Sequence, residues 1–208
     1  MKIASLRVDN RGEGADNVSA FILCGGQSRR MGSSKATLTL GHNTFLETAK
    51  QTVANTGINK LYCVGQQGCD FVDEVPFRGP GAALINAMSQ FIGFSTLTTS
   101  PQPKEPMSNT VLVLPVDMPL LTPESLSMLL KHARKKRRSV YFENECFPLV
   151  LYDVKHLNNA LQALVSLGES PSMRAIIKVI DAEGITTPAR FKPSLMNVNT
   201  PNDYALIS

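Results

Sequence analysis

The sequence has no tryptophan, and aromatic residues make up only 6% of its 208 positions. It has no apolar run near the roughly 18 to 20 residues that span a bilayer, and its first residues lack the apolar middle of a secretory signal. We therefore expect a cytoplasmic protein with no membrane partner. The scarcity of aromatic side chains for base stacking argues against a nucleic-acid partner.

Positive charge is concentrated in one place. The run KHARKKRR, residues 131–138, holds six of the 21 Lys and Arg residues, which is more than the net charge of +4. We interpret it as the solvated end of a helix, where cations suit the negative end of the helix dipole. The alternatives are a nucleic-acid-binding module with strongly salt-dependent affinity, or a docking surface for an acidic partner or anionic ligand.

The residues typical of metal sites and of covalent catalysis are few and scattered. The four cysteines form no C-x-x-C pair, which favours buried reduced thiols over zinc ligands or disulfides. The three histidines, His42, His132 and His156, are predicted to be exposed in a turn, at the basic helix end and at a helix start. The sequence therefore offers no Ser-His or Cys-His pair for nucleophilic catalysis.

The pattern of apolar residues predicts a Rossmann-like α/β fold. From residue 18 to about 139, continuous apolar runs alternate with stretches of helical periodicity, which predicts a mostly parallel central sheet with helices on both faces. Beyond it, SVYFENE and CFPLVLY predict a short antiparallel excursion, followed by two helices and a strand-like LMNVNT. We expect a flexible segment at residues 1–17, one domain over residues 18–208 and a polar insertion at residues 95–109.

A glycine-rich basic loop follows the first apolar run. The stretch CGGQSRRMGSSK, residues 24–35, has neither the Walker A spacing nor that of the G-x-G-x-x-G fingerprint. Glycines at the carboxyl end of a buried strand let backbone N–H groups approach a phosphate, and Arg29, Arg30 and Lys35 add charge. The stretch predicts a phosphate-binding loop, and a flexible surface turn with incidental cations is the alternative.

Two polar groups follow later strand-like runs. Asp117, in LPVDMPLL, comes at the carboxyl end of an apolar strand, where a hard cation bridging it to phosphates is the expected use. A turn or cap role is the alternative, although Thr122 is a better helix cap. In NVNTP, Asn197 and Asn199 are predicted to project from one face of a strand, which gives their amide groups a shared direction.

Taken in order, these motifs resemble one known family, the molybdenum cofactor guanylyltransferases or MobA family. The glycine-rich loop is similar to its G-G-x-S-x-R-M-G-x-[DS]-K signature, and the resemblance covers residues 18–207. Four further segments are similar to motifs of the family in the same order: DEVPFRGPGAAL, PVDMP, CFPLVLY and NVNTPNDY. The resemblance implies a nucleotide-diphospho-sugar transferase type of fold.

The resemblance also implies roles for individual residues. Arg30 and Lys35 are expected to lie along the triphosphate, and Asp117 to carry magnesium, so that these three form the catalytic set. The nucleotide-binding residues are expected to be Leu23, Cys24, Gly25, Gly26, Lys35, Asp73 and Asp117. The pterin-binding residues are expected to be Gly79, Asn197 and Asn199.

The implied activity is transfer of GMP from Mg-GTP to molybdopterin, the cofactor of the reaction being Mg²⁺. The glycine pair Gly25-Gly26 favours GTP, because an Ala-Gly pair is typical of the related cytidylyl enzymes. A cytidylyltransferase, a sugar-phosphate nucleotidyltransferase and a non-catalytic pterin carrier remain alternatives. Molybdopterin synthesis proteins and apo-molybdoenzymes are the expected protein partners of a monomer or weak homo-oligomer.

The chain departs from the family signature at four positions, none of which removes a charged catalytic group. The G-P loop, which carries two of these departures, is expected to shape the substrate pocket. The four departures are Ser34, Gly81, Ala83 and Val116.

Overall fold

A computed structural model describes residues 18–25, 35–73, 79–97, 108–166 and 170–208. The predicted flexible segment, most of the polar insertion, and Gly26, Arg29 and Arg30 of the glycine-rich loop lie outside these residues. Among the described helices, none is both long enough and apolar enough to cross a membrane.

Nine strands and six α-helices follow one another in the described residues, and short 3₁₀ helices cover Lys35–Thr37 and Ala189–Leu195. The strands are β1 (Val18–Leu23), β2 (Thr39–Leu40), β3 (Asn43–Thr44), β4 (Lys60–Gly65), β5 (Phe71–Val72), β6 (Thr110–Pro115), β7 (Val140–Phe142), β8 (Leu149–Tyr152) and β9 (Glu183–Ile185). The helices are α1 (Phe45–Ala54), α2 (Pro80–Leu97), α3 (Pro123–Lys136), α4 (Val154–Ser166), α5 (Met173–Val179) and α6 (Pro201–Ala205).

The main sheet has the strand order β5-β4-β1-β6-β8-β7-β9. Strands β5, β4, β1 and β6 pair in parallel, whereas β8 runs antiparallel to both β6 and β7. The last strand, β9, is parallel to β7. The predicted mostly parallel sheet and its antiparallel excursion are both confirmed.

Helices cover both faces of this sheet, because alternate residues of its central strands point to opposite sides. Ala20 and Ile22 of β1 pack with α1 and α3 in one buried cluster. Phe21 and Leu23 pack with α2 and α5 in a second one. All six residues of β1 are buried, which explains why its sequence shows no polar alternation.

Local signals in the sequence account for the helix starts. The Thr122 hydroxyl caps α3 by accepting the Ser125 N–H at 3.2 Å, and Pro123 takes the first helical position, as predicted. Helix α3 ends at Lys136 within the basic run, and its C-cap residue Arg137 has a left-handed backbone with a φ of 53°. The predicted helix and its basic end are therefore confirmed.

Two expectations are wrong. The strand-like LMNVNT forms no strand, because Leu195 ends a 3₁₀ helix and the Val198 N–H donates to the Asp117 carbonyl instead of to a sheet ladder. His132 is half-buried rather than exposed, because its Nε2 lies 3.2 Å from Oε1 of Glu183, the first residue of β9. The turn position of His42 and the exposed helix start at His156 are confirmed.

Candidate functional site

The carboxyl ends of β4, β1 and β6 lie side by side at one edge of the sheet. Beyond β1, the Cys24 N–H donates to the Val64 carbonyl of β4 at 2.7 Å. On the other side, the Val116 N–H donates to the Leu23 carbonyl at 3.0 Å. The start of the glycine-rich loop therefore lies between the end of β4 and Asp117, in the position where α/β sheets bind ligands.

Lys35 joins three parts of the chain at this edge. Its Nζ donates to Oδ2 of Asp117 at 2.8 Å, and also to Oδ1 of Asn199. The side chains of Lys35 and Asp117 are 17% and 21% exposed, so the ion pair is partly shielded from water and still open to a ligand. Three residues predicted from separate motifs thus meet at one ammonium group.

The backbone holds Asn199 in place. The neighbouring Val198 is buried, and its N–H donates to the Asp117 carbonyl at 2.8 Å. The Asn199 N–H donates to Oδ2 of Asp203 at 2.9 Å, within the capping box of α6. The hydrogen bond from the Asn199 N–H is the main reason that the pKa of Asp203 lies below its usual range, and a hydrogen bond from the Thr200 hydroxyl lowers this pKa further. Asp203 therefore holds the backbone of Asn199, which leaves the Asn199 side chain to contact Lys35.

Asn197 differs from Asn199 in the contacts that the structure gives it. Both residues are exposed on either side of buried Val198, as the predicted alternation requires, although no strand is present. Only Asn199 reaches the ammonium of Lys35. The structure thus brings one of the two predicted asparagines to the Lys35–Asp117 pair.

Gly65, at the end of β4, is a site residue that sequence reasoning missed. A Cβ there would lie 3.1 Å from the Gly25 nitrogen and 3.4 Å from the Cys24 carbonyl carbon. Glycine therefore allows the two strand ends to approach closely. The signal available in the sequence was a glycine that ends the apolar run KLYCVG.

The other predicted residues that the structure describes, Asp73 and Gly79, lie just after β5 and just before α2. The Asp73 N–H donates to the Gly65 carbonyl at 2.7 Å, which places Asp73 just after β5 at the edge of the sheet. Gly79 directly precedes α2 and has a φ of 94°, a conformation that favours glycine. At Gly81, a Cβ would lie only 2.0 Å from the Pro171 carbonyl oxygen, which explains glycine at this departure from the signature.

The Lys35 ammonium shows that this edge can hold a cation between a carboxylate and an amide oxygen. Such hard oxygen ligands suit magnesium, which binds proteins through one or two carboxylates and takes its other ligands from phosphates and water. The described residues contain no group of three or more His, Cys, Asp or Glu side chains placed to hold a metal. The donor set therefore fits magnesium that arrives with a polyphosphate.

Comparisons with known proteins identify the family of the chain. The family model of the MobA-like NTP transferase domain matches residues 20–184. The molybdenum cofactor guanylyltransferase of Xanthomonas euvesicatoria is 28% identical over an alignment of 190 residues, which covers 90% of this chain and 92% of that protein. The enzyme of the same name from Rhizobium meliloti is 30% identical over 201 residues, covering 88% and 87% of the two chains.

A solved structure shares the fold. The crystal structure of molybdopterin-guanine dinucleotide biosynthesis protein A from Archaeoglobus fulgidus aligns with a TM-score of 0.59. The alignment covers 91% of this chain and 96% of that one, at 16% sequence identity. The family model, which matches most of the chain, confirms the resemblance drawn from the motifs, and the chain belongs to the MobA-like NTP transferase domain family.

Proposed function

We propose that the protein transfers GMP from GTP to the terminal phosphate of molybdopterin, forming molybdopterin guanine dinucleotide and releasing pyrophosphate. The observation that carries the proposal is the convergence of Asp117 and Asn199 on the Lys35 ammonium beside the glycine-rich loop. The names of the relatives point to the same activity.

In this reaction the protein contributes mainly by aligning the two substrates and by neutralising the charge of their phosphates. The attacking phosphate oxygen is already an anion, so the reaction needs no strong general base. Lys35, oriented by Asp117 and Asn199, would neutralise charge on the triphosphate of GTP as the bond between the α- and β-phosphates breaks. Arg30 would add a second cation from the glycine-rich loop.

Asp117 is the residue that would hold magnesium. When bound, the metal supplies positive charge to the phosphate oxygens and fixes their orientation. Asp117 is itself fixed, because its carbonyl oxygen accepts the Val198 N–H and its carboxylate pairs with Lys35. This arrangement lets a single carboxylate orient both the lysine and the metal.

The choice of GTP rests on the start of the glycine-rich loop. A Cβ on Gly25 would make only ordinary contact with the described residues, at 3.6 Å from the Gly65 Cα. Packing against them therefore does not require glycine at this position. Room for the nucleotide is the reason that we propose for it, in agreement with the glycine pair of the guanylyl enzymes.

The test is a direct assay of the purified chain with molybdopterin, Mg²⁺ and either GTP or CTP. We expect GTP-dependent release of pyrophosphate and a product whose mass equals molybdopterin plus GMP. Turnover with CTP alone would instead make the protein a cytidylyltransferase. Binding of molybdopterin without pyrophosphate release from either nucleotide would make it a carrier.

The Lys35→Ala variant tests the proposed site. One oriented cation at a developing phosphate charge contributes on the order of 3 kcal/mol, so kcat should fall by about a hundredfold. Lys155→Ala, which removes an exposed lysine from α4, is the matched control and should retain full activity. Equal kcat values for the two variants would show that Lys35 is not part of the catalytic site.

The Asp117→Asn variant tests the metal. It keeps the size of the side chain and removes the negative charge that pairs with Lys35 and that, in our proposal, holds the metal. We expect its activity to require a much higher magnesium concentration than the wild type, whereas Glu124→Gln, an exposed carboxylate on α3, should leave this requirement unchanged. An unchanged requirement in Asp117→Asn would assign the metal to other residues.

A further inference from the structure

An open groove of about 660 Å³ follows the solvent-facing side of α3. It is lined by α3 from Pro123 to Lys135, by two residues of the 3₁₀ helix Ala189–Leu195, and by Asn55 at the end of α1. At 1.5 Å per residue, the lining part of α3 is about 18 Å long. We call this surface the α3 groove, and none of the candidate site residues lines it.

The basic run divides between contacts that hold the fold together and the α3 groove. Arg138 pairs with Asp181, and His132 pairs with the first residue of β9 at 3.2 Å. Lys131 and Lys135 are exposed, line the groove, and form no ion pair within the part of the chain that the structure describes. Because four positions separate them on one helix, they are neighbours on the same face. Two cations of the run are therefore available to a ligand.

The charge of the α3 groove differs along its length. Arg190, on the 3₁₀ helix, adds a third cation, and its Cζ lies over the Phe191 ring, 4.7 Å from the ring centroid. Met128, half-buried and one turn before Lys131, adds an apolar contact. Glu124 places a carboxylate at the opposite end of α3 from the lysines. The groove thus has a cationic end, an apolar middle and an acidic end.

We propose that the α3 groove binds an acidic segment of a partner protein in an extended conformation. Alternate residues of an extended segment point the same way and lie about 7 Å apart. The rise along α3 from Lys131 to Lys135 is about 6 Å, which matches two carboxylates at alternate positions. The next residue on that face of the segment would lie towards Met128, where an apolar side chain fits. About five extended residues cover the length of the groove.

The same features disfavour a nucleic acid as the occupant. The carboxylate of Glu124 would repel a backbone that carries a negative charge at every phosphate. Phe191 is the aromatic residue that lines the groove, but it is only 5% exposed and lies under the Arg190 guanidinium, so it offers no surface on which a base could stack. A peptide, in contrast, can confine its carboxylates to the cationic end.

The cationic end of the α3 groove lies far from the candidate site. Helix α3 starts after the carboxyl end of β6 and ends before β7, which runs in the same direction as β6 because both are antiparallel to β8. Lys135 is therefore near the amino ends of these strands, whereas Lys35 is at the carboxyl ends. A partner docked on the lysines leaves the candidate site open.

Binding of a model peptide to the full-length chain tests the proposal. The probe is the fluorescein-labelled peptide Glu-Ser-Glu-Ser-Leu-Ser, measured by fluorescence anisotropy at low ionic strength. We expect saturable binding, and an affinity about tenfold lower when both glutamates are replaced by glutamine. Absence of binding, or equal affinity for the glutamine peptide, would overturn the proposal. Tighter binding of a hexathymidine with the same label would overturn it in favour of a nucleic acid.

Charge reversal on α3 locates the binding surface. Lys131→Glu and Lys135→Glu should each weaken binding of the peptide by about fivefold or more, because each turns an attraction into a repulsion. Arg134→Glu makes the same change of charge in the same helix, but Arg134 does not line the groove, so we expect a loss below about twofold. Equal losses in all three variants would show a response to the charge of the whole run and would overturn the proposal.

The outcome does not depend on the proposed function, since binding is measured without GTP or molybdopterin. All three side chains are exposed, so the variants should fold, and their release of pyrophosphate from GTP should equal that of the wild type. Failure of GTP turnover in the wild type would refute the proposed function, whereas the peptide affinities would still decide whether the α3 groove binds an acidic segment.

Discussion

Replacing Gly81 by alanine tests the contact that best explains a departure from the family signature. A Cβ at Gly81 would lie 2.0 Å from the Pro171 carbonyl oxygen, 3.0 Å from its carbonyl carbon and 3.2 Å from Cδ1 of Ile176. Ordinary contact begins at 3.4 Å, so the start of α2 and the segment before α5 must separate by more than 1 Å. Both sides of the contact are backbone, which no change of rotamer can relieve.

The expected cost follows from this geometry. Overpacking a well-packed region costs typically 1–3 kcal/mol, and a rigid contact between two backbone segments belongs at the upper end, about 3 kcal/mol. In a chain of this length, 1 kcal/mol changes Tm by about 2–4 °C. We therefore expect Gly81→Ala to lower Tm by about 6–12 °C.

The same helix supplies the control. Gly93 also lies in α2, but apart from the backbone of its own helix a Cβ there would meet nothing within 4 Å among the described residues. Alanine at this position should raise stability by about 1 kcal/mol through its higher helix propensity, and Tm by about 2–4 °C. Both values can be measured by scanning calorimetry. Equal melting temperatures for Gly81→Ala and the wild type would refute the packing argument.

Three other changes test other parts of the structure. Gly65→Ala should push the ends of β1 and β4 apart by a few tenths of an ångström. We expect the free energy of unfolding, measured by chemical denaturation, to fall by about 1 kcal/mol, and the affinity for GTP, measured by calorimetry, to fall as well. Unchanged affinity would contradict the role of this close approach. Tyr204→Phe removes the hydrogen bond that the Tyr204 hydroxyl donates to the Thr39 carbonyl at 2.7 Å. The free energy of unfolding in urea should fall by about 1 kcal/mol. An unchanged value would show that this hydrogen bond does not anchor α6. The bond from the Asn199 N–H lowers the pKa of Asp203 below its ordinary 3.8, so its stabilisation is present above pH 3.8 and is lost as the pH falls through the lower folded value. The stability difference between the wild type and Asp203→Asn should therefore shrink on acidification, and a difference independent of pH would contradict this assignment.

The core strands and the helix starts were predictable because their causes are local. The apolar runs at β1 and β6 reflect burial on both faces, and the Thr122-Pro123 pair marks the start of α3 without help from distant residues. Strands β5 and β9 were missed because strands of two and three residues carry no periodic signal. Their pairing depends on neighbours that only the fold supplies.

The sequence predicted the edge of the sheet at which the candidate site lies, but it did not predict all the side-chain contacts within the site. Lys35 and Asp117 were expected at one edge of the sheet because both follow buried strands, and the structure joins them at 2.8 Å. The Asn199 contact with Lys35 was not foreseen, since 164 positions separate the two residues.

Lys35 is far in sequence from both Asp117 and Asn199, and this separation has a consequence for synthesis of the chain. Strands β1, β4 and β6 can pair once residue 115 has emerged from the ribosome, and Lys35 can meet Asp117 two residues later. The second acceptor of the ammonium arrives only with Asn199, after the helices and strands of the antiparallel excursion. A nascent chain can therefore build the loop edge early, but Lys35 gains its Asn199 acceptor only after a further 164 residues have been translated, so that ordering of the Lys35 ammonium reports docking of the segment around Asn199.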